Sequence, residues 1–372
     1  MKSNIKNIIN NIARTAGGFF GKVIKTKFVI ALRGFFGDFV NNSYKIMDKK
    51  SVLYPTMLGL VIIACLLPLF ANDYVLEVAW RAFFYMLLAM GLNVIVGYAG
   101  MFDFGFAAKF AVGAYTSAIL VKTVGLSFWL TIPAAIITSI IAACIIGGPT
   151  LRLRSDYLTI VTLGFGEITR IIARNLPITG SASGISGIPS PSFWGLNFSK
   201  VSLFGLELPI MPSLVKFQLT KISHWFYIFL ALVVLFVIIS NRIKKSRFGR
   251  ALEYIREDED AAKAMGINTV NYKLWAYIMG SVFGGVAGSF YAMKMTAISP
   301  NSFTFLISAN IMLAVIVGGM GKLPGVMLGA AFFVILPEIS RGVDEYRMLI
   351  FGILLVVVMI FRPQGLWPER RL

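Results

Sequence analysis

The stretch Ser246-Arg-Phe-Gly-Arg-Ala-Leu-Glu-Tyr-Ile-Arg-Glu-Asp-Glu-Asp-Ala-Ala-Lys-Ala-Met-Gly-Ile-Asn268 is a charged island between two apolar runs, 223–241 and 274–295. Each run has about the 20 mainly apolar residues that a bilayer crossing needs. The island is therefore the connector between two spans. Its composition also predicts internal order. Arg250, Leu252, Ile255 and Arg256 fall on one short helix. Glu257 to Asp260 place four acids at the start of a second helix, where the helix dipole favours negative charge. Glu259 and Lys263 have the i,i+4 spacing of a favourable pair. Ala261, Ala262 and Met265 are expected to form a compact apolar edge, and Gly266 to end the helix in a left-handed cap with Ile267 packing back. A short, capped, half-apolar helix suits a groove in a partner. The expectation is a cytoplasmic docking element; the plain alternative is a solvated connector.

The rest of the chain agrees with a membrane reading. Its 372 residues are 57% hydrophobic and 14% charged, against about 45–50% and about 25% in soluble domains. The formal charge of +18 is expected to meet membrane lipid and fix topology on cytoplasmic loops, with no nucleic acid as partner. Cys65 and Cys144 lie in apolar runs, outside any metal-ligand spacing, and His224 has no second ligand type nearby. No metal site and no catalytic constellation are expected.

Ten spanning segments are expected, near 53–70, 78–97, 104–122, 127–148, 157–176, 223–241, 274–295, 304–320, 323–340 and 346–362. The fold class is an all-α polytopic membrane protein, with some helices broken or re-entrant where glycines cluster. Loop 242–273 carries eight bases and loop 177–222 three lysines. That contrast puts 242–273 on the cytoplasmic side, 177–222 outside and both termini inside. Residues 1–50 are basic and Phe-rich, with Ile5, Ile8, Ile9 and Ile12 at helical spacing. They read as an amphipathic segment at the cytoplasmic interface, the alternative being a partly ordered basic tail.

One internal echo stands out. Leu92-Asn-Val-Ile-Val-Gly-Tyr-Ala-Gly100 and Leu313-Ala-Val-Ile-Val-Gly-Gly-Met-Gly321 share six of nine residues. It marks either a structural repeat, as transporters use, or a coincidence between two glycine-rich helix ends. Gly318-Gly-Met-Gly-Lys322 lacks the spacing and the Ser/Thr of a phosphate loop. The chain is therefore not expected to hydrolyse ATP or to bind a cofactor itself; if it is driven by ATP, another subunit supplies the site for ATP and Mg.

Polar residues at membrane depth are the pathway candidates: Asn93, Thr162, Glu167, Arg170 and Asn310. Glu167 and Arg170 are three apart and share a helix face. They either line the pathway or form a structural ion pair, since each alone would cost on the order of 3 kcal/mol in a helix centre. Lys109 either snorkels or pairs with a carboxylate. Gly284 and Gly288 form a GxxxG suited to close helix approach.

Three motifs carry a family resemblance: Gly91 to Gly100 running into Gly113-Ala-Tyr115; Asp156 to Arg170 followed by Asn175 and Thr179-Gly180; and Phe248-Gly-Arg-Ala-Leu252 through Ala261-Ala262 and Met265-Gly-Ile-Asn268. Arg362-Pro-Gln-Gly-Leu366 closes the match. Over 53–366 the chain resembles the inner-membrane permeases of branched-chain amino acid ABC transporters, of the LivM type. The resemblance implies an importer of Leu, Ile or Val in the bacterial plasma membrane. It further implies a second homologous permease, two cytoplasmic ATPase subunits and an extracytoplasmic substrate-binding protein. Asp260-Ala-Ala with Gly266 stands where such permeases carry their coupling motif, while Lys109 stands where they usually have an aromatic. Related permeases carry urea or amides. An ion-coupled secondary transporter would use the buried Glu167 and Arg170 but leave the island without a purpose.

Overall fold

The computed structural model describes Gly59, 64–68, 71–151, 155–189, 191–193, 196–197 and 221–339. The chain divides into two units, Met1–Leu67 and Pro68–Leu372. Of the first, only Gly59 and 64–67 are described. The basic segment 1–50, most of the span expected at 53–70, the loop 198–220 and the span expected at 346–362 lie outside the described residues.

Ten α-helices are described in the second unit: α1 (Asp73–Asn93), α2 (Phe106–Thr123), α3 (Phe128–Thr150), α4 (Ser155–Asn175), α5 (Lys221–Lys245), α6 (Arg247–Glu257), α7 (Glu259–Ala264), α8 (Thr269–Met295), α9 (Phe305–Gly318) and α10 (Leu323–Ile339). A π-helical turn, Val94–Tyr98, extends α1. Five described segments are long and apolar enough to cross a membrane: Asp73–Tyr98, Phe128–Thr150, Ile222–Lys245, Thr269–Met295 and Pro300–Gly318. The helices α2 and α4 coincide with two further expected spans but carry charges in mid-course, Lys109 in one and Glu167 and Arg170 in the other. The helix Leu323–Glu338 is apolar but shorter.

The core is built around α8, which packs on α2, α3 and α1, while α1 also holds α5 and α10. Close approach depends on glycine at two places in the α2–α8 contact. A Cβ on Gly113 would run into the Gly285 carbonyl oxygen, and one on Gly288 into that of Phe110. Gly284 is less tightly held, with a notional Cβ at ordinary contact distance, 3.4 Å, from the Lys109 Cβ. The close-contact glycines of this helix pair are thus Gly113 and Gly288, while Gly285 makes room for Ser139 of α3. Aromatic rings of Phe84, Phe110, Phe229 and Tyr291 fill the space between α1, α2, α5 and α8.

Contacts sort the helix ends into two groups. At one end Lys122 Nζ donates to the Ser186 carbonyl (2.7 Å), and strands β1 (Ile185–Ser186) and β4 (Ala297–Ile298) pair antiparallel. A small hairpin of β2 (Ser192–Phe193) and β3 (Leu196–Asn197) follows β1 in sequence. Tyr74 donates to Glu338 (2.5 Å) and Lys294 to Glu77 (3.4 Å) at this same end. The other end gathers Gly97, Lys244, Arg256 and Gly321. From Glu77 to Gly97 is twenty residues of helix, about 30 Å at 1.5 Å per residue, the thickness of a bilayer core.

Candidate functional site

The island forms α6 and α7 with sequence-encoded caps. The Ser246 hydroxyl accepts from the Gly249 amide (3.1 Å), opening α6. The Asp258 carboxylate accepts from the Asp260 and Ala261 amides (2.9 and 3.0 Å), opening α7. Gly266, at φ 82°, closes α7. Its amide donates to Lys263 O and the Ile267 amide to Ala262 O (2.9 and 3.1 Å), which is the paired bonding of a Schellman cap. Asn268 then caps α8 through the Asn271 amide (3.2 Å).

Orientation differs from the expected apolar docking edge. Leu252, Ile255 and Ala262 are buried within this chain, Ala262 at 3% exposure. The reason is the amphipathic pattern of α6: its apolar stripe serves to seat the island on its own spans. Ala261 is exposed, and Met265 is 79% exposed. The outward face is thus Arg250, Tyr254, Asp260, Ala261 and Met265, with the Asp260 side chain 96% exposed. Tyr254 is the member of this face that the sequence reading lacks, although a large aromatic among charges on a surface helix is a visible signal.

Arg256 points the other way. Its Nη1 donates to the Gly97 carbonyl (2.6 Å), and its side chain lies over Gly100, whose notional Cβ would sit 3.0 Å from Arg256 Cγ. Lys244, at the end of α5, donates to the Gly321 carbonyl (2.7 Å). Both acceptors lie beside helix breaks, where carbonyls lack intrahelical donors and the dipole favours cations. Glu259 joins α7 to α8 by accepting from Lys273 Nζ (2.5 Å) and Thr269 (3.3 Å), and it also pairs with Lys263 (3.2 Å). Burial raises the Glu259 carboxyl pKa, but hydrogen bonds and charge from Lys273 and Lys263 outweigh it and hold the carboxyl below its usual value. The same pair raises the Lys263 ammonium pKa, first through its hydrogen bond to Glu259.

The pathway candidates fall in distinct places. Asn93 is fully buried, and its Oδ1 accepts from the Gly321 amide (2.9 Å). This bond joins the two echo segments. Both segments end on glycines of positive φ, Gly100 at 70° and Gly321 at 89°. Thr162 is buried on α4; its hydroxyl accepts from the Phe104 amide (3.3 Å) and donates to Thr159 O (3.0 Å), tying α4 to the connection between α1 and α2. Glu167 and Arg170 pair at 2.7 Å, each side chain partly exposed. Asn310 is half-buried on α9. Of these candidates, Glu167 and Arg170 are the two that meet.

A second ion pair is fully buried. Asp103 Oδ2 accepts from Lys109 Nζ (2.5 Å), and Oδ1 from the Gly105 amide (2.9 Å). The ammonium also stands 3.3 Å from the centre of the Tyr277 ring. The Ala107 amide donates to Ser308 of α9 (2.8 Å). The start of α2 is thereby fixed by Asp103 and by neighbouring elements. Among the described residues no group of three His, Cys, Asp or Glu side chains is placed to hold a metal.

Known proteins resemble this chain along most of its length. The profile of the family described as "Branched-chain amino acid transport system / permease component" matches residues 74–359. The high-affinity branched-chain amino acid transport system permease protein LivM of Salmonella typhimurium is 37% identical over 369 residues, covering 96% of this chain and 84% of its own length. The protein of the same name from Escherichia coli K12 has the same identity and coverage. The permease protein LivH of the Salmonella typhimurium system is 24% identical over 293 residues, covering 76% of this chain and 90% of itself. No solved structure matches.

Proposed function

The chain belongs to the permease family of branched-chain amino acid transport systems, and on that premise we propose that it is the membrane subunit of an ATP-driven importer of Leu, Ile and Val. It is a transport subunit of multi-pass, helical type, and its apolar helices suit an inner membrane. The observation that carries the finer reading is the island. Two capped helices are seated on the spans by Leu252, Ile255 and Ala262 and present Arg250, Tyr254, Asp260, Ala261 and Met265 outward. Such a rigid, mixed-polarity surface is suited to a groove in a soluble subunit. We assign that subunit as one of two cytoplasmic ATPases, which bring ATP and Mg.

The partner permease is a homologue of this chain: similarity extends to LivM and, more weakly, to LivH proteins of one transport system. Delivery of substrate falls to an extracytoplasmic binding protein at the end formed by β1, β4, Glu77 and Glu338. We assign 177–222 to the outside and 242–273 to the cytoplasm, a placement supported by the sorting of contacts into two ends about 30 Å apart; ten spans with both termini cytoplasmic rest on the apolar runs and the Lys/Arg bias of the sequence. The basic segment 1–50 is assigned to the cytoplasmic interface by its charge.

Co-purification of the tagged chain with its ATPases, followed by reconstitution with a binding protein and labelled leucine, tests this reading. Competition by isoleucine and valine, and none by urea or short amides, is the expected result. Uptake by the lone chain on a proton gradient would replace the reading with an ion-coupled carrier.

A further inference from the structure

Two broken helix ends meet at the island end of the bundle. One is the π-helical turn Val94–Tyr98 running to Gly100, the other the turn after α9 that runs from Gly319 to Gly321. Gly100, Gly319 and Gly321 all have positive φ. These are backbone positions where a chain changes direction, and π turns inside helices frequently mark functional sites. The ends are bonded to each other by Asn93 and Gly321. Each is also gripped from the island side, Gly97 O by Arg256 and Gly321 O by Lys244.

The contacts close into a circuit. Arg256 lies on α6 between the seated Leu252 and Ile255 and the acidic start of α7. Lys244 stands two residues before Ser246, which caps α6. From α6 the circuit passes through Arg256 to Gly97, then through Asn93 to Gly321, and back through Lys244. The partly open cleft lined by Gly97, Tyr98, Lys244, Gly249, Glu253 and Arg256 has about 10 Å³ accessible to water, about the least that admits one water molecule. Direct contacts of 2.6, 2.7 and 2.9 Å link α6, the end of α5 and the two breaks, so a displacement of α6 is carried to both.

We propose that Arg256 and Lys244 are positioning residues that transmit motion of the ATPase-docking island to the two helix breaks at Gly97–Gly100 and Gly319–Gly321, moving them together to gate the pathway. The inference rests on the island being the ATPase-docking element. It assigns to Arg256 a role inside the permease, distinct from docking itself.

The test uses the complete complex of this chain, its partner permease, the ATPases and the binding protein in liposomes, with ATP hydrolysis and leucine uptake measured together. In Arg256→Gln and Lys244→Gln, ATP hydrolysis continues while uptake per ATP falls by about tenfold or more, as loss of a typical coupling free energy requires. Arg256→Lys, which keeps a cation but not the planar reach, falls between. A purely structural cap would instead lower complex yield and leave uptake per ATP intact. Uptake per ATP within about twofold of wild type in both neutral variants would overturn the proposal, being too small a change for a coupling residue. Should the neutral variants fail to assemble, Arg256→Lys and Lys244→Arg carry the same test, and an unchanged ratio in both has the same consequence. Failure of the unmodified chain to hold ATPases would remove the docking reading itself.

Discussion

Asn93 Oδ1 accepts a hydrogen bond from the Gly321 amide at 2.9 Å, joining segments 228 residues apart in the chain. Gly97 lies directly beneath this bond: a Cβ there would sit 2.6 Å from Gly321 N and on the Asn93 amide itself. Asparagine and glycine are thus required together. Asn93→Leu strands the Gly321 amide in a buried site, at about 1–3 kcal/mol. Gly97→Ala forces the two segments apart, at a similar cost of about 1–3 kcal/mol for overpacking. The double variant should cost less than the sum, because the bond is lost only once. Thermal unfolding of the purified protein in detergent measures all three.

The buried and exposed faces of the island predict opposite behaviour for two neighbouring substitutions. Met265→Asp places a charge on a side chain already 79% exposed, so the permease folds normally and ATPase association weakens. Ala262→Asp puts the charge at a site 3% exposed. The island itself then loosens, at about 3 kcal/mol or more for an unpaired buried charge. Limited proteolysis between α6 and α8, run beside ATPase pull-down, separates the two outcomes. Equal protease sensitivity for both variants would contradict the inward seating of α7.

Local chemistry makes much of this region legible. The acids at the start of α7, the Glu259–Lys263 pair and the Gly266 cap depend on residues within one or two turns, and all appear as the spacing implies. The Glu167–Arg170 pair is legible for the same reason, and a carboxylate partner for Lys109 is one of two readings that its position allows. What the sequence hides is orientation and distance. Ala261 and Ala262 are adjacent and identical, and only the packing of α7 decides which one is buried. Arg256 reads as one more surface base until the fold brings Gly97, 159 residues away, within reach. The π turn likewise leaves no local signature in Val94–Tyr98. The membrane-spanning pattern is readable for α1, α3, α5, α8 and α9, whose apolar runs are long. It is weaker for α2 and α4, where internal charges dilute the pattern.

The contact between α7 and α8 should depend on pH through Glu259. Its folded pKa is held below the ordinary value of 4.5 by Lys273 and Lys263 against the upward pull of burial. A lowered carboxylate stabilises the fold fully above the unfolded value, and the contribution is lost as pH falls through the lower folded value. Hydrogen exchange in residues 259–268, corrected for intrinsic rates, should stay protected down to about pH 4.5 and open below it. Glu259→Gln should already be less protected at neutral pH and should lack this acid step. An unchanged step in Glu259→Gln would assign it to another group.

Opposite-side placement of the two loop groups is checked directly by accessibility. Ser183 and Glu257 are both exposed, and they belong to the two opposite ends of the bundle. Single cysteines there, in a background where Cys65 and Cys144 are replaced by alanine, should react with an impermeant maleimide from opposite faces. Position 183 should label in intact cells and position 257 only after lysis. Labelling of both in intact cells would overturn the assignment of 242–273 to the cytoplasm.

The Glu167–Arg170 contact of 2.7 Å makes a prediction about order of harm rather than size alone. On α4 the pair is flanked by the exposed apolar side chains Leu163, Ile168, Ile171 and Ile172, a surface on which a lone charge has few partners. Glu167→Gln therefore leaves the Arg170 cation uncompensated, at on the order of 2–3 kcal/mol for a charge in mid-helix. Arg170→Gln leaves the carboxylate and costs about the same. The double variant Glu167→Gln, Arg170→Gln removes both charges and should be better tolerated than either single change. Membrane yield and thermal stability of the four forms complete a double-mutant cycle, with an expected coupling of about 0.5–3 kcal/mol. If stability recovers in the double variant but uptake does not, the charges also serve the pathway. If both recover, the pair is structural, and additive losses in the cycle would show that the two residues do not act as a pair.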